Sequence, residues 1–281
     1  MLSVSVLIRN RNEAADLKRL LARLREQHWG EFEIVVVDNE SSDESRKYIA
    51  EFGCKLVDLP AGQFTYGRAT NLGMEHCTGD LVVTLSSHSL PIGRYFLTEI
   101  VAAFEDPRVA AVRIPIASNT AELRNLSSVA ALDSGSKTEE VFRRGPVASG
   151  SVIRRSVWQD FPFDEKLGGA EDKEWALRVL RSGNYIMPVA NAAYCYTRSF
   201  GPEGWIKKIV REETAGFEAA ELRPKASFKN LVLTILAAQR DVFQKAAVET
   251  KLYLFRRRLN RINPSGRAQR AGSPVKGISQ T

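Results

Sequence analysis

The sequence predicts an α/β protein: a mostly parallel sheet flanked by helices, with a helical extension towards the C-terminal end. Three observations carry this. Short apolar runs of strand length lie at residues 3–8, 35–37 and 81–85; helical spacing follows the first two; and each run stops abruptly in polar residues. Strand then helix, repeated, builds a parallel sheet with right-handed crossovers, so the carboxyl ends of the strands share one edge. Open α/β sheets bind ligands in the crevice at that edge. One crevice is therefore predicted rather than three separate turns.

The first strand, residues 3–8, ends in Arg9-Asn10-Arg11-Asn12-Glu13. Ala14, Leu17, Leu20, Leu21 and Leu24 then recur on one helical face, with Glu13 placed to complement the helix macrodipole. The second strand ends in Asp38-Asn39-Glu40-Ser41-Ser42-Asp43, and Ser41-x-x-Glu44 has the form of a capping box opening a helix over 42–50. Alone, that polar knot reads equally as a capped surface turn or a ligand-facing turn; its recurrence at other strand ends favours the second. The third strand ends in Ser86-Ser87-His88-Ser89. Residues 117–145 follow no regular period. Residues 173–181 fit a helix, whose acidic start Glu171-Asp172 would add about 0.3–1 kcal/mol through the macrodipole. Phe228, Leu231, Val232, Ile235, Val242, Phe243, Ala246, Leu252 and Phe255 then form an apolar helical stripe ahead of Arg256-Arg257-Arg258.

These elements divide the chain into an α/β domain over 1–225, a basic amphipathic extension over 226–262 and a tail over 263–281. The tail, rich in Ser, Gly, Pro, Arg and Gln, is expected to be disordered. The 281 residues suffice for a substantial core. Cys54, Cys77 and Cys195 have neither paired nor metal-type spacing, which points to reduced thiols in a cytosol-facing protein. Met1 leads directly into a strand, so no signal peptide is expected. The longest apolar-rich stretch, 231–238, falls far short of the roughly 20 residues a spanning helix needs. Residues 240–281 hold ten Lys or Arg against Asp241 and Glu249, a local balance of +8, so the chain's +7 leaves −1 for everything before them. The basic character belongs to the extension. It suits an anionic membrane surface, at about 1 kcal/mol per basic residue, or a helix packed on its own domain that ends in a solvated tail. No aromatic platform accompanies the charge, so nucleic acid is not an expected partner.

Five blocks, SVLIRNRNE at 5–13, VVVDNESSDES at 35–45, FTYGRATNLGMEHCTGDLVVTLSSHSLP at 64–91, SGSVIRRSVW at 149–158 and LGGAEDKEWALRVLRSG at 167–183, together resemble family-2 glycosyltransferases. The resemblance implies a GT-A type, Rossmann-like fold and, from the middle block, a rhamnosyltransferase-like subgroup acting in surface polysaccharide assembly. It implies an inverting enzyme that moves a sugar from a UDP- or dTDP-linked donor to a glycan or lipid-linked acceptor. Such an enzyme would be cytoplasmic, or peripheral on the inner face of the membrane. By the same resemblance Arg9, Asn10, Asn12, Glu13, Asp38, Asn39, Arg68, Asn71, Ser87 and His88 would bind the nucleotide sugar, with Asp38 accepting from base or ribose. Asp172, with Glu171 beside it, would be the catalytic base. Ser149, Gly150 and Trp175 would face the acceptor, Trp175 alternatively belonging to the core, and 117–145 would shape that side.

The sequence departs from the family pattern where a divalent ion, Mn²⁺ or Mg²⁺, would sit. Ser86-Ser87-His88 replaces the usual Asp-x-Asp acids, leaving His88 as the metal candidate, and Tyr194-Cys195-Tyr196-Thr197-Arg198 replaces a late histidine. Hard Mg²⁺ favours oxygen ligands over imidazole. Arg9, Arg11, Arg68 and Arg198 are the cations that could offset diphosphate charge instead. Thr70 precedes Asn71 where relatives carry Arg, with Arg68 as its candidate replacement. His28 and His76 have no partners at metal spacing and read as structural or solvent-facing. Two alternatives stand beside catalysis. One is a catalytically degenerate relative binding a nucleotide, glycan or partner enzyme. The other is a nucleotidyltransferase, which lacks its Gly-rich loop here because residues 9–12 contain no glycine.

Overall fold

The protein was analysed as a computed structural model, which describes residues 2–117, 130–183, 185–198, Thr214 and Ala220. The chain divides into two units, Met1–Pro224 and Lys225–Thr281. The basic extension and tail expected over 226–281 lie outside the described residues.

In order, the elements are β1 (Val4–Asn10), α1 (Ala14–Arg25), β2 (Glu33–Asp38), α2 (Ser45–Glu51), β3 (Lys55–Asp58), α3 (Tyr66–His76), β4 (Leu81–Ser86), β5 (Ser89–Pro91), α4 (Phe96–Ala102), β6 (Ala111–Arg113), α5 (Thr138–Arg144), β7 (Gly150–Arg154), α6 (Arg155–Asp160), α7 (Glu171–Ser182) and β8 (Tyr194–Tyr196). Six strands form the main sheet in the order β3-β2-β1-β4-β7-β6, and β5 pairs with β8 in a small second sheet. Strands β1 to β4 run parallel, whereas β7 is antiparallel to both neighbours. The predicted mostly parallel α/β sheet is therefore present.

Both faces of the sheet are covered, which is why its central strands are nearly continuous apolar runs. On β1, Val6 and Ile8 pack with Leu17, Leu20, Leu21 and Leu24 of α1, while Leu7 joins the opposite layer with Met74 and Trp175. Helix α3 lies close on β1 because Gly73 has no side chain; an added Cβ would collide with Leu7.

Several local expectations need correction. β1 extends past residue 8 because Arg9 and Asn10 stay in register with Val37 and Asp38. The capping box does not form. Helix α2 starts at Ser45, Glu44 makes no side-chain cap bond, and Ser41 turns back to Asp38. Asp43 instead caps α1, its Oδ2 accepting from Ala14 N at 2.8 Å. Part of the supposedly irregular 117–145 stretch is helix α5, while 118–129 lie outside the described residues. Strand β3 carries no apolar pattern in the sequence, since Val57 alone of its four residues is buried. No helix among the described residues is long and apolar enough to cross a membrane.

Candidate functional site

The ends of β1, β2 and β4 meet through their polar residues. Asn10 is the hub: Nδ2 donates to Asp38 Oδ1 at 3.0 Å and to Ser41 Oγ at 3.1 Å, and Oδ1 accepts from Ser87 Oγ at 2.7 Å. Asn12 laces the two following loops together, its Oδ1 accepting from Ser42 N at 2.7 Å. Asn12 and Glu40 both adopt φ 52°, a left-handed conformation that L side chains avoid and that gathers at functional sites. Asn39 Nδ2 donates to Leu59 O at 3.0 Å, while its buried Oδ1 has no partner among the described residues.

Asp38 is fully buried, and each of its oxygens takes two donors. Asn10 Nδ2 and Ser41 Oγ serve Oδ1; Ser41 N and Arg46 Nε serve Oδ2. A carboxylate offers about four lone-pair positions, so this structure leaves none for a base or ribose. In this arrangement Asp38 braces the strand ends. Arg46, which also pairs with Asp58, carried no sequence signal.

One wall is built around His88. Its Nδ1 lies 2.8 Å from Glu13 Oε2, and Glu13 Oε1 pairs with Arg198 at 3.4 Å. The β5–β8 pairing brings in this second segment: Tyr196 meets the imidazole edge-on with centroids 4.6 Å apart, and Thr197 N donates to His88 O at 3.0 Å. Burial pushes the Tyr196 phenol pKa up. Glu13 makes no cap hydrogen bond to α1, so its side chain serves this wall. Arg11 is exposed, His28 stacks on Tyr95, and His76 Nδ1 contacts Leu72 O.

A second group of residues gathers at the start of α7, reached through Ala170 at φ 56°. Asp172 Oδ2 accepts from Ala148 N at 2.9 Å and Oδ1 from Lys173 N at 2.8 Å. Those bonds fill one lone pair on each oxygen, and the side chain is half-buried rather than sealed. Arg9 ties this group to β1, its Nη2 donating to Ala148 O at 3.1 Å and its Nη1 lying 3.9 Å from Glu171. Its guanidinium also sits 5.3 Å from the centre of the Tyr66 ring. Glu171, only 4% exposed, faces Arg9. Burial pulls the Arg113 pKa down while Tyr194 and Asp172 oppose it, and burial pushes Tyr194 up to about 12.

Four other candidates sit elsewhere. Asn71 is buried in α3 and fully used: Nδ2 donates to Phe163 O and Glu165 Oε1, and Oδ1 accepts from Trp158 Nε1 and Phe163 N. It anchors the segment after α6. Trp175 is fully buried against Phe163, its Nε1 donating to Phe161 O, so it is core and no acceptor wall. Arg68 points along α3 to Gln63 and Glu165. Gly150 is buried where a Cβ would strike the Tyr194 ring, which assigns it to packing; neighbouring Ser149 remains half-buried, 3.4 Å from Tyr194 Oη.

The described residues do not fit a divalent-ion cage. No group of three or more His, Cys, Asp or Glu comes together among them, Ser87 already donates to Asn10, and His88 Nδ1 is taken by Glu13.

Residues 5–157 match the family described as Glycosyl transferase family 2. No curated protein sequence matches the chain. Among solved structures, S. aureus TarS 1-349 superposes with a TM-score of 0.57 at 18% identity, covering 78% of this chain and 66% of that one. A mannosyltransferase from Pyrobaculum calidifontis, in complex with GDP-Man and Mn²⁺, gives 0.60 at 20% identity over 80% and 66%. Glucosyl-3-phosphoglycerate synthase from Mycobacterium tuberculosis, in complex with Mn²⁺, UDP and glucosyl-3-phosphoglycerate, gives 0.56 at 13% over 80% and 82%. At these identities the likeness is one of fold, and the chain spans just under two thirds of the first two proteins.

Proposed function

This chain belongs to glycosyl transferase family 2, and on that premise we propose that it transfers a sugar from a nucleotide-diphosphate donor, UDP- or dTDP-linked, to a glycan or lipid-linked acceptor, with inversion. The observation that carries the reading is the state of Asp172. Its carboxylate is aimed by two backbone N–H groups, keeps a lone pair on each oxygen, and stands in the group of residues that Arg9 joins to the end of β1.

The step follows from that arrangement. An acceptor hydroxyl is a weak nucleophile until its proton is being removed. As its oxygen bonds to the anomeric carbon, Asp172 takes the proton, and the anomeric C–O bond to phosphate breaks on the opposite face with its electron pair leaving on the nucleoside diphosphate. A single displacement inverts the centre. A positioned base of this kind contributes about 10²- to 10⁴-fold. No part of this step is routed through a metal, because the donor set around His88 does not suit one.

The rhamnosyltransferase-like subgroup, a place in surface polysaccharide assembly and attachment to the inner membrane face belong to the same proposal. They rest on the middle sequence block and the basic extension. GDP-Man and UDP in the related structures support a nucleotide-sugar donor. A catalytically degenerate binder is favoured by one observation, the Ser86-Ser87-His88 replacement of the acid pair.

A thermal-shift panel of UDP, dTDP, GDP and their sugars, with and without Mn²⁺, tests donor binding. Stabilisation by one nucleoside diphosphate is expected; none by any would sink the proposal. Asp172→Asn should then lower transfer by at least about 10²-fold with donor affinity kept. Unchanged turnover would remove Asp172 from the base role, and a wild type that binds donor without turnover would favour the degenerate reading.

A further inference from the structure

We propose that Glu13 is a positioning residue that fixes the His88 ring so that its Nε2 engages the diphosphate of the donor, doing with side chains what an acid pair and a divalent ion would otherwise do. This rests on the nucleotide-sugar reading above and adds a residue and a device to it.

Two restraints act on the imidazole and a third on its backbone. Glu13 Oε2 lies 2.8 Å from Nδ1, the Tyr196 ring packs against it edge-on, and Thr197 N holds the His88 carbonyl. The side chain is 7% exposed, so the ring has little room to turn. An ionised carboxylate only accepts hydrogen bonds, which puts a proton on Nδ1 and makes Nε2 the nitrogen that meets a ligand. A carboxylate behind a histidine sets tautomer and orientation in this way at many functional sites. Nε2 makes no hydrogen bond among the described residues.

The ring also stands in the right place. It follows Ser87, whose hydroxyl reaches Asn10 on the crevice floor, so it belongs to the strand-end edge. Nε2 meets a phosphate oxygen through one shared proton, brought by the diphosphate or taken from solvent as it binds. Arg198 lies 3.4 Å from the other Glu13 oxygen and brings a guanidinium to the same group of residues. A hydrogen bond between charged partners is roughly twice as strong as a neutral one.

The experiment uses the full chain in EDTA with UDP as the probe. The chain has three histidines, so ¹⁵N NMR of the imidazoles identifies His88 through the signal lost in His88→Gln. Addition of UDP should shift the Nε2 resonance of His88. Glu13→Ala should average the two ring-nitrogen resonances and weaken UDP binding about tenfold, the loss of one charge-assisted hydrogen bond. Glu13→Gln, whose amide oxygen can still accept from Nδ1, should restore the fixed tautomer, a rescue that a merely structural role would not require. If wild type fails to bind UDP or any other nucleoside diphosphate, the nucleotide-sugar reading falls and this inference with it. If UDP binds while the His88 resonances stay put, or while Glu13→Ala binds as wild type does, only the role of Glu13 is overturned.

Discussion

Asp38 and Asp172 are the same residue type at the same edge of the fold, and their lone pairs separate them. Asp38 spends all of its acceptor positions on Asn10, Ser41 and Arg46, whereas Asp172 spends half on two backbone amides. Asn71 is the clearest case of a residue whose use is internal. Replacing it by Ala leaves Trp158 Nε1 and the Phe163 backbone without partners in a buried setting. At about 1–3 kcal/mol per stranded group, with partial relaxation, Asn71→Ala should destabilise by about 3 kcal/mol. A urea titration reads this as a lower midpoint with unchanged slope, and UDP affinity of the folded protein should hold. Lost affinity at full stability would return Asn71 to the nucleotide site. Residue types and order placed Asn10, Asp38 and Ser87 at strand ends that share one edge, and their hydrogen bonds join them there. Whether a given carboxylate or amide faced inward depended on donors remote in sequence, such as Arg46 and Trp158, and no local pattern contains those.

Elements were legible where burial sets a period. β1, β2, β4 and α1 carry enough apolar residues to mark them, while β3 and β6 are short strands recruited by pairing with neighbours. The capping box misled because Ser41 had a stronger competitor than a helix N-terminus, the buried Asp38 carboxylate. At the other end of the sheet, Glu33 and Asp80 clip elements together. Burial works against an ionised Glu33, but hydrogen bonds from Ser5 and Thr78 outweigh it and lower its pKa from 4.5. The Ser3 backbone N–H, then its hydroxyl, lower that of Asp80 from 3.8. Both groups are depressed in the folded state, so the unfolded chain binds protons first as pH falls. Their stabilisation is complete above the unfolded values and is lost as pH drops through the lower folded ones. Urea midpoints should therefore hold steady from about pH 7 to about pH 5 and decline below 4.5. Glu33→Gln with Asp80→Asn should flatten that decline; an equally steep one would assign acid sensitivity to other groups.

On the scale of the whole molecule, charge is distributed in two places with different work to do. At the strand-end edge no group of three or more His, Cys, Asp or Glu comes together among the described residues, and if His88 and nearby cations offset the diphosphate charge as proposed, activity should survive EDTA largely intact; complete loss reversed by Mn²⁺ would show that an ion is required. The second place is the extension. Residues 240–281 carry +8, and the rest of the chain sums to −1. If the extension lies on an anionic surface, its basic residues contribute about 1 kcal/mol each near the headgroups, falling off over a Debye length of about 10 Å at 0.1 M salt. Binding would then be steep in both salt and anionic lipid. If it rests against its own domain or in solvent, neither lipid charge nor salt should matter. Sedimentation with anionic liposomes separates the two. The full chain should pellet at low salt and release at high salt, stay in solution with zwitterionic liposomes, and stay in solution with either after truncation at Pro224, the limit of the first unit. Replacing Arg256, Arg257 and Arg258 by Gln should give an intermediate result, because three of the ten charges are lost while the apolar stripe remains. Pelleting indifferent to truncation would move the membrane contact onto the catalytic unit, and no pelleting would leave the acceptor to be sought in solution.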